Sequence, residues 1–384
     1  NWFTGRLPDD WHVRGSLTTQ LWASIERGQL QHLLGNLTVA QPQITRAAHK
    51  QALVQGYRLN TQVDWRRTDD GWTFALEQFD WQTEHGAWPR SGLTLAATRA
   101  DDGARQLRLA IDYLRIEAVL PLLTHWPALA ADQRRLLERL QAGGQLNDLQ
   151  VAFTLAPTAA VADAAVADAV AAPAPATLRD LRYRADLADL HTAAVDKLPG
   201  LSAVGGRVWG APERGVLELT GRDARVVLPK LFRQPLQLDR LAGRIDWQRL
   251  DDRLRIASSQ IEASNADIRT TSRLRLELPA DGSRPLLDLQ THFADGVVES
   301  AHKYLPARIM PPRTVAWLDR ALVSGRIRDG DLLFQGRLGD FPFDRATGRM
   351  EVRAVVDDAV LDYRDGWHRI EGLEAELAFI NRAM

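Results

Sequence analysis

Cysteine is absent from the 384 residues. Its absence excludes disulfides, Cys-ligated zinc, iron–sulfur clusters and thiol catalysis, and is compatible with an oxidising compartment. A charge of one sign is missing as well. The 48 basic and 49 acidic side chains nearly cancel, and arginine, which far outnumbers lysine, is scattered among acids. The electrostatic footprint of a nucleic-acid binder is therefore lacking. No run approaches the roughly 20 apolar residues of a membrane span; the nearest, Val161 to Ala172, is Ala-rich and broken by Asp163 and Asp168. Catalytic signatures are absent too, with no G-x-S-x-G elbow, H-E-x-x-H, P-loop, G-x-G-x-x-G or EF-hand loop. The nine histidines are dispersed. His292 and His302 have no metal-site spacing and are expected to face solvent. No enzyme activity, metal or cofactor is expected.

What the chain does have is strand pattern. Hydrophobic residues make up 45%, enough for a sizeable core in one large or two to three ordinary domains. In Ile268 to Leu278, Ile268, Thr270, Ser272, Leu274, Leu276 and Leu278 share one face, and Arg269, Thr271, Arg273, Arg275 and Glu277 the other. The same alternation governs Leu107, Leu109, Ile111 and Tyr113, then Leu149, Val151, Phe153 and Leu155. It returns in Leu287, Leu289 and Phe293, and in Met350, Val352 and Val356. One dry and one wet face mark antiparallel sheet, because parallel strands buried on both sides read as unbroken apolar runs. Asp69-Asp70-Gly71, Asp101-Asp102-Gly103, Asp251-Asp252 and Asp281-Gly282 fall between these runs and predict hairpin turns. The tryptophans Trp65, Trp72, Trp81 and Trp247 lie in or beside strand runs, where cross-strand packing is the ordinary role of an aromatic.

One motif occurs twice. Leu137-Glu138-Arg139, Gly144, Leu146, Asp148, Val151 and Phe153 return 181 positions later as Leu318-Asp319-Arg320, Gly325, Ile327, Asp329, Leu332 and Phe334. Each copy predicts a helix, over Pro127 to Ala142 and over Pro311 to Ser324, closed by its glycine and feeding a strand. A large unit repeated along a chain suggests stacking into a long continuous surface. Between the copies, Ala156 to Thr177 is almost entirely Ala, Val, Asp and Pro, and reads as a mobile loop or linker. The organisation expected is a segment 1–155, the linker 156–177 and a segment 178–384. The chain starts at Asn1 with no initiator Met and stops at Met384 directly after a strand-like run, which reads as a piece of something longer.

Two short helices cannot cover this much sheet. An eleven-residue strand is about 35 Å long, and several side by side present far more apolar surface than the few hundred Å² a soluble protein exposes. Either a second sheet lies on it, giving a β-sandwich with a dry protein core, or the sheet curls into a trough occupied by acyl chains. The residues that would line such a trough are Leu107, Leu109, Ile111, Val151 and Phe153 in the first segment. In the second they are Leu254, Ile256, Ile268, Leu274, Leu276, Leu278, Leu287, Leu289, Met350 and Val352.

Pro199 to Met384 also carries an ordered series of landmarks. Pro199-Gly200-Leu201, Gly205-Gly206, Leu217-Glu218-Leu219, Leu231-Phe232 with Pro235-Leu236, Gly243 with Trp247, and Asn265-Ala266-Asp267 come first. Pro285-Leu286-Leu287-Asp288-Leu289, Tyr304-Leu305-Pro306, Trp317-Leu318-Asp319, Gly325, Asp340-Phe341-Pro342-Phe343 and Tyr363 with Trp367 follow. In order and spacing this series resembles the YhdP branch of the AsmA-like proteins. It covers about half the chain; residues 1 to 155 match more loosely, through the duplicated helix-glycine-strand unit. His368 departs from it, standing where proline is expected after the tryptophan.

The resemblance implies a mainly β fold, a long, strongly curved antiparallel sheet forming an extended apolar groove with a few short helices. It implies a periplasmic protein anchored in the inner membrane by an N-terminal helix outside this sequence. Its expected partners are phospholipid acyl chains and the inner and outer membranes, and its expected role is non-enzymatic phospholipid transport that supports the outer-membrane barrier. A scaffolding envelope protein with a packed β-sandwich core would have the same composition. A glycan-binding β protein would need exposed aromatics beside convergent carboxylates.

Overall fold

The computed structural model describes residues 11–46, 52–83, 86–100, 102–124, 130–156, 178–196, 198–364 and 366–381. Eighteen antiparallel strands belong to one sheet that does not close into a barrel. No second sheet is present among the described residues to complete a sandwich. The chain divides into two compact units, Asn1–Glu138 with Gly143–Asp186, and Arg139–Ala142 with Leu187–Met384. Apart from Ala156, the expected linker 156–177 lies outside the described residues.

The first unit is a meander of β1 (Trp11–Glu26), β2 (Gln29–Arg46), β3 (Ala52–Thr68), β4 (Gly71–Thr83), the two-residue β5 (Gly86–Ala87), β6 (Ser91–Arg99), β7 (Arg105–Arg115) and β8 (Gly143–Leu155). Each strand pairs with the next, except that β4 pairs with β6 and takes β5 only at its end. β9 (Leu178–Thr192) is shared between the units. The second unit continues with β10 (Gly200–Ala211), β11 (Arg214–Val227), β12 (Leu236–Arg249), β13 (Arg253–Ser264), β14 (Arg269–Pro279), β15 (Leu286–Val297), β16 (Leu322–Arg337), β17 (Arg349–Leu361) and β18 (Ile370–Ile380). These again pair in order. The turns at Asp69-Asp70, Asp102-Gly103, Asp251-Asp252 and Asp281-Gly282 all connect adjacent strands, as their chemistry predicts; Asp101 lies outside the described residues.

Consecutive strands run in opposite directions, so each unit has two margins, and they differ. One margin holds tight turns, 27–28, 69–70, 212–213 and 251–252, and in the second unit also the longer β16–β17 connection with a 3-10 turn at Leu338–Asp340. The other holds the helices: α1 (Ile116–Thr124) and α2 (Ala131–Leu140) between β7 and β8, then a 3-10 turn (Val298–Lys303) and α3 (Pro312–Ala321) between β15 and β16. α1 escaped the sequence reading because Ile116-Glu117-Ala118-Val119-Leu120-Pro121 is apolar nearly all round and carries an internal proline, so no amphipathic stripe marks it.

The duplicated motif is a helix feeding a strand in both copies, but its glycine does not close the helix. In the first copy Gln141 takes the left-handed conformation (φ 45) after Leu140. In the second, α3 ends at Ala321 and Leu322 is already extended. Gly325 (φ +132) lies inside β16 at a register shift, where an added Cβ would sit 2.6 Å from the Cα of Ala359 on β17. Glycine is required there for backbone approach. Gly144 (φ 120) is likewise buried near the start of β8 and donates its N–H to Glu117 Oε1 at 3.0 Å.

Candidate functional site

Residues directly opposite in an antiparallel ladder share a face, and the registers join the apolar residues into rows that run across the strands. In the first unit one row passes through Leu21, Gly35, Val63, Leu76, Leu93, Ile111 and Leu149. The next passes through Ala23, Leu33, Trp65, Phe74, Leu95, Leu109 and Val151. A third joins Trp72, Ala97, Leu107 and Phe153. Seven strands at about 4.8 Å spacing make this face roughly 29 Å wide.

The second unit repeats the arrangement. Trp247, Ile256, Leu276 and Leu287 form one row, and Leu274, Leu289, Phe334 and Met350 another. Leu332, Val352 and Phe379 form a third, and Leu254 faces Leu278. Ile268 is set apart in the β13–β14 turn, where its N–H bonds Asn265 Oδ1 at 3.1 Å. The two sets of expected lining residues thus lie in separate units, five in one and ten in the other. All fifteen are half-buried, neither enclosed by protein nor fully exposed. Along β1 the same face is barer, with Leu17 61% and Leu21 53% exposed.

Protein covers this face at the helical margin of both units and, in the second, also at the tight-turn end, where Phe341 and the buried Phe343 pack on Phe334 of the apolar row. In the first unit Trp81, Trp88 and Tyr113 are buried together against Leu59, Phe79 and Ala118 of α1, with Trp81 and Trp88 ring centroids 5.0 Å apart. In the second, Val204, Ala224, Leu238 and Leu241 form a small core, while Val315, Leu318 and Ala321 bury one side of α3.

Polar contacts fasten the helical margin of the second unit, and they join landmarks distant in sequence. Asp267 accepts from Lys303 Nζ (2.6 Å), Ser300 Oγ (3.0 Å) and Tyr304 Oη (3.1 Å). Asn265 Nδ2 donates to Tyr304 Oη at 2.8 Å. Burial opposes ionisation of Asp267, yet these donors hold its carboxyl below the usual range. Tyr304 is pushed up to about 12, first by burial and then by the charge of Asp267. Arg233 grips Asp319 of α3 through two bonds of 2.6 and 2.8 Å, and Trp317 Nε1 donates to the Tyr363 carbonyl at 3.0 Å.

The opposite face is ionic. Glu277, 6% exposed, lies among Arg275, Arg253 and Arg255, and the Arg275 hydrogen bond is the main cause that lowers its pKa. Glu351 sits between Arg353 and Arg349 and is lowered in the same way. His292 faces Asp331 at 3.2 Å, and His302 bonds the Glu299 carbonyl at 2.7 Å. Trp65 and Trp72 lie on the apolar face, with Phe74 and Ala97 directly opposite them. Asp64 is on the other face, bound to Arg66 and His32, so it does not join these aromatics in a glycan-type cleft.

A second repeated motif was not read from the sequence. Val63-Asp64-Trp65-Arg66-Arg67-Thr68-Asp69-Asp70 returns as Ile245-Asp246-Trp247-Gln248-Arg249-Leu250-Asp251-Asp252, 182 positions on. Both copies end a strand at the tight-turn margin. Alternation puts Trp65 and Arg67, and likewise Trp247 and Arg249, on the apolar face, tryptophan first and arginine at the rim. The pairwise match was the available signal.

With this geometry in place, comparison with known proteins is informative. The profile of one protein family, described as YhdP protein, matches residues 1–384. The chain belongs to the YhdP family. A curated relative, the intermembrane phospholipid transporter YhdP of Escherichia coli (strain K12), is 23% identical over 325 residues. That alignment covers 82% of this chain and 24% of the relative, so the chain spans about a quarter of the length of the YhdP protein it matches. No solved structure matches this YhdP-family chain.

Proposed function

We propose that this chain is a segment of a non-enzymatic phospholipid conduit, with acyl chains lying on the apolar rows of each unit and head groups kept outside them. One observation carries the reading: the fifteen expected lining residues are all half-buried, and apart from Ile268 they fall on an apolar face of their own unit that no second sheet among the described residues covers. An acyl chain gains about 0.8 kcal/mol per CH₂ withdrawn from water, whereas a polar head group loses free energy on the same surface. A face open along one margin suits both ends of such a molecule. Rows of Leu, Ile, Val and Phe repeat from strand to strand, so a lipid meets similar affinity at successive positions and can move along them. Direction comes from lipid supply and removal at the ends.

The relative's description as an intermembrane phospholipid transporter supports this cargo. The reading extends to the periplasm, to a protein held at the inner membrane by a segment outside this sequence and passing lipid toward the outer membrane, and the same description of the relative is its support. No helix among the described residues is long and apolar enough to cross a membrane. The test is purification of the chain, followed by solvent extraction and lipid mass spectrometry. Stoichiometric phospholipid is expected. Lipid-free protein that refuses to load from vesicles would leave a scaffold and end the conduit reading.

A further inference from the structure

We propose that the tight-turn margin of the first unit is a phosphate station, where Arg99 and Arg105, with Arg67 beside Trp72, hold the phosphodiester of a lipid whose acyl chains lie on the adjoining apolar rows. The proposal rests on the conduit reading and adds the chemistry of the head group to it.

The gradient along the strands is the first support. Proceeding toward the turns, β3 presents Val63, Trp65 and Arg67 on the apolar face, and β6 presents Leu93, Leu95, Ala97 and Arg99. β7 presents Ile111, Leu109, Leu107 and Arg105. On β3 the aliphatic residue gives way to tryptophan and then to arginine, the order in which a lipid interface passes from hydrocarbon to head group, and on β6 and β7 the aliphatic run ends directly in arginine. Arg99 and Arg105 are direct cross-strand partners, and like charges so placed repel unless an anion lies between them. Neither they nor Arg67 has an ion-pair partner among the described residues, and all three are exposed. Of the described turn acids nearby, Asp70 accepts from Thr68 Oγ1 at 3.2 Å and Asp102 from the Ala104 N–H at 2.9 Å, and none forms an ion pair with these arginines.

The second unit supplies an independent instance. Trp247 and Arg249 stand in the same order at the same margin, and Arg249 also lacks an ion-pair partner among the described residues. It faces Leu254 and not a second arginine, so that rim offers one guanidinium where the first offers a pair. Planar guanidinium forks match phosphate oxygens, and two of them facing one another suit a phosphodiester.

The experiment loads the 384-residue chain from vesicles containing equal phosphatidylglycerol and diacylglycerol, then compares wild type with R99Q/R105Q by lipid mass spectrometry. Diacylglycerol has the same tails without a phosphate. Wild type is expected to favour the phospholipid, and the double variant to lose roughly tenfold of that preference, about the worth of one charge-assisted hydrogen bond, while loading diacylglycerol normally. An unchanged preference in the variant overturns the station and leaves the conduit standing. Failure of wild type to load either lipid overturns both. Saturable binding of inorganic phosphate that the substitutions abolish, with lipid preference unaltered, assigns the arginines to a free anion and also overturns the proposal.

Discussion

Replacing Leu274 and Leu276 together by aspartate separates an open apolar face from a packed interior. Leu274 stands between Ser258 and Leu289, and Leu276 between Ile256 and Leu287, so both side chains lie mid-face in the second unit. A fully buried leucine contributes about 1.5–3 kcal/mol through burial. Half-buried residues forfeit about half of that, so the double variant should lose about 1.5–3 kcal/mol and remain folded. Two carboxylates inside a sealed core would instead cost well over about 6 kcal/mol, from lost burial, cavities and uncompensated charge. Far-ultraviolet circular dichroism should therefore keep its β signal, and the urea midpoint should fall modestly. Lipid recovered by extraction should drop to background, and transport by the full-length protein should be lost. Global unfolding of the double variant without denaturant would refute the reasoning and return the face to a protein core.

Gly325→Ala forces a side chain into a φ of +132 and against the backbone of Ala359; a loss of about 1–3 kcal/mol is expected in a denaturant titration. Tyr304→Phe removes the hydroxyl shared by Asn265 and Asp267 and should cost about 1–3 kcal/mol, with protection of the neighbouring amides falling in hydrogen exchange. The tyrosine's raised pKa, about 12, means that its stabilising contribution is complete below pH 10 and disappears as pH rises toward 12. An ultraviolet phenolate titration of wild type against the phenylalanine variant checks this. Glu277 and Glu351 are lowered, so their contribution is present above the ordinary glutamate value of 4.5 and is lost as pH falls below it. E277Q and E351Q should flatten that acid limb in pH-dependent melts.

Strands and their faces were legible because alternation survives in β7, β8, β14, β15 and β17, where one side is polar or charged and the other apolar. Face and register then follow from period two alone. Legibility failed where the backbone departs from regularity. Gln78 (φ 51) shifts the register of β4, and its apolar residues Trp72, Phe74, Leu76 and Phe79 do not share one clean alternation with Trp81. The glycine of the duplicated motif was visible, but its reason was not. Its neighbour Ala359 lies 34 positions away, and no local rule reveals such an approach. The expected lining residues could be named from their own strands, whereas the rim arginines needed the ladder. Arg99 and Arg105 look like ordinary hairpin flanks until the register sets them face to face. The polar knot was hidden similarly, since Asn265, Asp267 and Tyr304 are marked in sequence but meet only in space.

The unequal margins have a consequence for how the chain can vary. Two-residue turns such as Arg27-Gly28 and Asp69-Asp70 fix the pairing on both sides, so an inserted amino acid there would turn the following strand inside out. The helix-bearing connections impose no such limit, because slack is absorbed before the next ladder begins. Length differences among relatives should accordingly avoid the two-residue turns, and a tag or fluorophore grafted in a helix-bearing connection should leave the apolar rows in register.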